Sequence, residues 1–148
     1  MELFDYLQSA KKSLFRFEAL QEYLVEGEDL ENDSYMKEWW DFIQEKTRDG
    51  IVMERVRLIR EPLTEYTKKE LVVHKKSKSC GDDIRIIDGN NFEKLKIAEK
   101  DFWLIDDKIY LDMKYSNTGE YLGFDVHNND IEPYQKAKEL LLENSEAL

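Results

Sequence analysis

The sequence predicts an α+β fold: an antiparallel sheet of about five to six strands that ends in a C-terminal three-strand meander, with helices packed on one face. Three observations carry this. Asp101 to Val126 contains strand runs rich in Ile, Tyr, Leu, Phe and Trp, split by Asp106-Asp107 and Asn117-Thr118-Gly119, residues suited to tight turns. Helical stretches with start and stop signals flank these runs. Strands that neighbour one another in sequence favour α+β over an arrangement of alternating crossovers.

Leu3, Phe4 and Leu7 stand at helical spacing, so a short opening helix is expected within 3–12. Leu14, Phe15, Phe17 and Leu20, interleaved with Arg16 and Glu18, suit a short strand. The acidic, glycine-containing segment Glu26 to Asp33 reads as a loop. Asp33 or Ser34 then caps a helix bearing Trp39, Trp40, Phe42 and Ile43, which Gly50 ends. Adjacent helical positions diverge, so one of the two tryptophans is expected in the core and the other half covered.

Ile51 to Ile59 alternates as a strand, with Arg55 and Arg57 pointing the same way. Glu61-Pro62 ends it, and Thr64 caps a helix over about 65–76 that aligns Tyr66, Glu70 and Val73. Asp83 to Ile87 is a compact strand closed by Asp88-Gly89-Asn90-Asn91, and 92–100 fits a short helix. Pro133 starts a last helix with Ala137, Leu140, Leu141 and Leu142 inward, and 145–148 are expected to fray. The 148 residues suit one domain spanning 1–148, and no repeat or low-complexity linker divides them.

A net charge of -11 argues against direct nucleic-acid binding, which rests on a basic footprint. No run approaches a bilayer span, and the N-terminus lacks the pattern of a signal peptide. With Cys80 the single cysteine, a reducing, cytoplasmic setting is expected. No cofactor motif is visible, and His74 and His127 are too isolated for a zinc set, so neither a cofactor nor a metal is expected. Asp101, Asp106 and Asp112-Met113-Lys114 match the spacing of metal-dependent nucleases, but such triplets are common in charge-rich chains and read here as a solvent-facing strand.

The candidate ligand- or partner-binding residues are Arg55, Arg57, Tyr66, Glu70, Asp83, Arg85, Trp103 and Asp106, with Asp101 in the same constellation. Arginine forks bind carboxylates or phosphates bidentately, the acids would orient them, and Tyr66 and Trp103 would form an apolar wall. The same set also reads as cross-strand ion pairs that hold sheet register.

Several motifs, taken in order, resemble an uncharacterised bacterial family common in actinomycetes and often encoded beside helix-turn-helix regulators. They are Phe15-Arg16-Phe17-Glu18 followed by Tyr23, Arg55-Val56-Arg57, Glu61 to Tyr66 leading to Glu70-Leu71, Gly81 to Arg85, Asp101 to Asp107, and Tyr115 with Gly119 to Gly123. The family pattern carries Glu where this chain has Asp82. The resemblance implies an intracellular α+β domain associated with regulatory loci and supplies no reaction or cofactor. Together with the acidic surface it favours a non-enzymatic regulatory or interaction module with a protein partner, such as a helix-turn-helix regulator. The alternatives are a small-molecule- or anion-binding domain or enzyme that uses the arginine and acid cluster, and an acidic mimic of nucleic acid.

Overall fold

The computed structural model describes residues 1–23 and 33–148. The expected acidic loop up to residue 32 lies outside the described residues, as do the side chains that would form the Asp33 or Ser34 cap. Among the described residues the elements run α1 (Leu3–Gln8), β1 (Ser13–Glu18), α2 (Asp33–Arg48), β2 (Val52–Ile59), α3 (Glu65–Cys80), β3 (Asp83–Asp88), α4 (Gly89–Glu93), β4 (Phe102–Ile105), β5 (Ile109–Tyr115), β6 (Tyr121–His127), α5 (Glu132–Glu143) and β7 (Glu146–Ala147). One sheet takes the order β6-β5-β4-β1-β2-β3-β7.

The local signals act where the sequence places them. Thr64 caps α3 by accepting the Thr67 N–H at 3.0 Å, Pro133 occupies the first turn of α5, and Gly50 comes after α2 at a φ of 86°. Asp106 and Asp107, at φ 55° and 54°, make the β4–β5 turn. The meander β4-β5-β6 is antiparallel throughout.

Three expectations need correction. The sheet is mixed, because β1 pairs β2 and β2 pairs β3 in parallel. Each of those connections contains a sixteen-residue helix. A helix of that length carries the chain back along the sheet, so the next strand starts from the same end as the last. Helices cover both faces rather than one. Leu7, Phe42 and Ile43 from α1 and α2 pack on Leu14, Met53 and Trp103, whereas Phe92, Ala137 and Leu141 from α4 and α5 pack on Phe15, Phe17, Val56 and Leu58. Finally, the C-terminus is paired rather than frayed: β7 adds a seventh strand against β3, and the Leu148 N–H donates to the Ile84 carbonyl at 3.0 Å.

The central position of β1 governs the chemistry of one face. The strand lies between β2 and β4, covered above and below, so Arg16 and Glu18 are buried along with Phe15 and Phe17. Alternation sends the two charges to the α2/α3 face and the two rings to the other.

Candidate functional site

Arg16 and Glu18 of β1 and Arg55 and Arg57 of β2 share the face beneath α3. A buried charge must be paired and hydrogen-bonded. Here the four form the base of a network of three arginine–carboxylate pairs. Arg16 Nη2 donates to Asp101 at 2.8 Å, Arg55 Nη1 to Glu18 at 2.6 Å, and Arg57 Nε to Glu70 at 2.6 Å. Arg57 is fully buried, and Glu18, Glu70 and Asp101 are each at most 5% exposed.

Further contacts tie the pairs together. His74, one turn after Glu70 on α3, places Nε2 at 3.1 Å from Glu18 and 3.7 Å from Glu70. Asp101 accepts the Ala19 N–H at 2.9 Å and the Tyr23 hydroxyl, while Arg16 also donates to the Tyr115 hydroxyl at 3.2 Å. Asp82, just beyond the Gly81 cap of α3, reaches Arg55 Nε at 3.4 Å. Aromatic faces complete the setting: the Arg16 and Arg55 guanidiniums lie 5.6 and 5.5 Å from the centre of the Trp103 ring, and the ring of Trp39 on α2 lies 5.8 Å from Arg55.

Above this floor lies a cavity of about 530 Å³. Leu3, Phe4 and Leu7 of α1, Met36 and Trp39 of α2, Val73 of α3, and Trp103 and Met113 of the sheet give it apolar walls. Its polar lining is Glu2, Arg16, Glu18, Arg55, Tyr66, Glu70, His74, Ser77 and Tyr115. An apolar pocket with a few convergent polar groups is the usual form of a small-molecule site.

The two facing carboxylates titrate in opposite directions. Burial pushes Glu70 up, and the neighbouring Glu18 charge adds to this, so that its pKa stands at about 7 despite Arg57. Burial also opposes the Glu18 charge, but Arg55 and His74 outweigh it and hold Glu18 well below the ordinary carboxylate range. Glu70 is therefore the member of the pair biased toward the protonated form. Two carboxylates driven apart in this way can serve as acid and base.

Of the predicted site residues, Arg55, Tyr66, Glu70 and Trp103 line the cavity, and Arg57 sits behind Glu70. Three are placed elsewhere. Asp83 and Arg85 pair with each other at 3.6 Å, and Arg85 aligns with Val56 on the opposite face. The Asp106 carboxylate accepts the backbone N–H groups of Lys11, Lys12 and Ser13, the closest at 2.7 Å, and so pins the β4–β5 turn to the entry of β1. Burial weighs against its charge, but those donors hold its pKa down.

The nuclease-like spacing does not converge. Asp101 belongs to the Arg16 pair, whereas Asp112 is 5% exposed beneath Lys100 and Lys114, at 3.1 and 2.7 Å. Asp112 is therefore covered rather than solvent-facing. The two adjacent tryptophans are each partly covered: Trp39 stacks on Phe42, and Trp40 donates to the Ser77 hydroxyl at 3.1 Å.

Sequence reasoning missed Arg16, Glu18, His74, Asp82 and Tyr115 as members of the site. The available signal was the charge pair Arg16 and Glu18 alternating with phenylalanines in a short strand. Two charges on one face of a covered strand require buried partners. Glu18, Glu70 and His74 bring one potential ligand atom each to within 4.8 Å of one another, the geometry of a metal set. Guanidiniums at 2.6 Å already supply the positive charge that a cation would bring to both carboxylates.

A family model described as a domain of unknown function matches residues 1–148. The chain belongs to that family, DUF6879. The match covers every element of the sheet and of the cavity, in keeping with the expected membership of an uncharacterised family along the whole chain. A comparison with curated proteins found no match. No helix among the described residues is long and apolar enough to cross a membrane.

Proposed function

We propose that this protein is a small-molecule-binding module, which takes a ligand with an apolar body into the cavity between α1, α2, α3 and the sheet. The observation that carries the reading is the cavity itself: an open pocket with aromatic and aliphatic walls beside a floor of buried, mutually oriented charges. Such a floor is costly to bury, and it is preorganised to meet a polar group without rearrangement. Binding is favoured over turnover because Glu18, Glu70 and Asp101 are each engaged by an arginine.

A thermal-shift screen of amphipathic small molecules tests this, comparing wild type with Val73→Trp, which fills the cavity from the α3 side. A true ligand raises Tm in wild type, by an amount set by its concentration relative to Kd, and loses the effect in the variant. Equal shifts in both proteins, or no shift with any compound, refute the reading.

A second reading keeps the regulatory role, in a reducing cytoplasm, with a protein partner such as a helix-turn-helix regulator. Its support is the outer edge of β6, the end strand of the sheet, where Leu122 and Val126 are exposed. Affinity capture from the native host with wild type and Val126→Lys checks it. A partner retained by both proteins, or by neither, counts against an edge interaction.

A further inference from the structure

We propose that the outer face of α3 is a docking surface for an acidic, amphipathic helix of a protein partner. The proposal is independent of the cavity and of the β6 edge.

The helix turns Thr67, Glu70, His74 and Ser77 inward, and Lys68, Lys69, Val72, Lys75 and Lys76 are exposed on its other side. At 100° per residue these five fall within an arc of about 120°. Val72 stands in the middle of the arc, with one lysine pair a turn before it and another a turn after it.

The first feature that marks this face is its charge. The chain carries a net charge of -11, yet the exposed side of α3 sets these four lysines against Glu65 alone, which pairs with Lys68 at 3.0 Å. Lys69, Lys75 and Lys76 have no carboxylate partner among the described residues, and Lys76 lies instead 5.6 Å from the centre of the Trp40 ring. The second feature is Val72. It is 68% exposed inside a helix, where a β-branched side chain lowers helix propensity and here regains little by burial.

These features narrow the occupant. Lysine pairs on either side of an exposed valine match carboxylate pairs on either side of an apolar residue, at the same spacing, on a second helix laid along α3. Nucleic acid fits less well, because phosphates offer Val72 no apolar partner and the excess of acids elsewhere on the chain repels a long polyanion. A second copy of the chain also fits less well. A two-fold contact through this face sets lysines against lysines.

The test uses an alanine-rich peptide of about eighteen residues, long enough to be helical, that carries the motif Glu-Glu-x-x-Leu-x-x-Glu-Glu. Binding to the full chain is followed by backbone amide NMR shifts. Saturable binding is expected with Kd below about 1 mM, with the shifts centred on Lys68 to Lys76. Replacing the four peptide Glu by Gln is expected to weaken it at least about tenfold, and raising the salt to about 0.5 M severalfold. Lys69→Glu combined with Lys75→Glu is expected to weaken it at least about tenfold as well. Val72→Ala is expected to weaken binding while leaving Tm unchanged or higher, since alanine is the better helix former.

Absence of binding at millimolar peptide, equal affinity for the Gln peptide, or shifts centred elsewhere on the molecule overturns the proposal. So does a fall in Tm on Val72→Ala, which would give that residue to the fold. Tighter binding of a DNA duplex at this face, or self-association that the double Lys→Glu variant abolishes, assigns the face to nucleic acid or to a second copy and overturns it equally. The peptide and salt series need only the wild-type protein, so a poorly folded variant does not decide the outcome.

Discussion

Glu70 shows how much a single position depends on what surrounds it. In an unfolded chain it is an ordinary carboxylate, but in the fold burial and Glu18 raise its pKa to about 7. Between the unfolded value and about 7 the folded state holds the extra proton, so this group's contribution to stability falls as pH rises through that window. Its slope approaches 1.4 kcal/mol per pH unit at most. Glu18 acts with the opposite sign: its depressed pKa gives stability above the unfolded value that is lost as pH falls through the folded one. Urea midpoints measured from pH 5 to pH 8 are expected to decline in wild type and to stay flatter in Glu70→Gln; parallel curves would contradict the assignment. Removing the Glu18 charge is a harsher change. Glu18→Gln leaves Arg55 with only the longer Asp82 contact, and a loss of about 3–5 kcal/mol is expected at pH 7, the magnitude of breaking a buried pair.

At the scale of elements, α3 explains why the site was hard to read. Its buried stripe is Thr67, Glu70, His74, Ser77 and Cys80, which carries almost no apolar signal. Sequence periodicity therefore aligned Tyr66, Glu70 and Val73 and stopped the helix near 76, short of its end at Cys80. The polar stripe makes sense only above the arginines of β1 and β2. The turn that ends the helix is equally constrained. Gly81 has a φ of 125°, and a Cβ there would lie 2.6 Å from Thr47 Oγ1 and 2.9 Å from its Cγ2. Gly81→Ala is thus expected to cost about 1–3 kcal/mol, from backbone strain plus crowding, and to loosen the Asp82–Arg55 contact. A denaturation midpoint unchanged from wild type would count against this account of the turn.

For the whole molecule, the two cores share β1, β2 and β4 as their common wall. Neither face can lose its helices without exposing strands that the other face also needs. One cooperative unfolding transition is expected, in keeping with a single domain. Trp39, Trp40 and Trp103 all report on the α2/α3 side, whereas far-UV circular dichroism reports on every element. Coincident denaturation curves from the two probes support one unit, and an earlier tryptophan transition would show that the cavity side melts alone. The sheet also draws on distant parts of the chain, since β1 pairs with β4 some ninety residues later. Folding in the range of milliseconds to seconds is expected from such non-local pairing.

The amino-acid sequence by itself determined most of the elements and several of their ends, because caps, turn residues and apolar alternation act over a few residues; it missed β7 and placed over 92–100 a short helix that the structure has at Gly89–Glu93. It also named Arg55, Arg57, Tyr66, Glu70 and Trp103, whose side chains are unusual for where they stand along their strands and helices. Only the tertiary structure decided that β1 lies at the centre of a mixed sheet and that helices cover both of its faces. That placement converts Arg16 and Glu18 from half-exposed strand residues into buried charges. It brings Asp101 and Tyr115 to Arg16, sends Asp83 and Arg85 to the opposite face, and gives Asp106 a turn to hold. The physical reason is that burial and strand order are properties of the assembled sheet, and a charge takes its meaning from partners that lie up to about a hundred residues away.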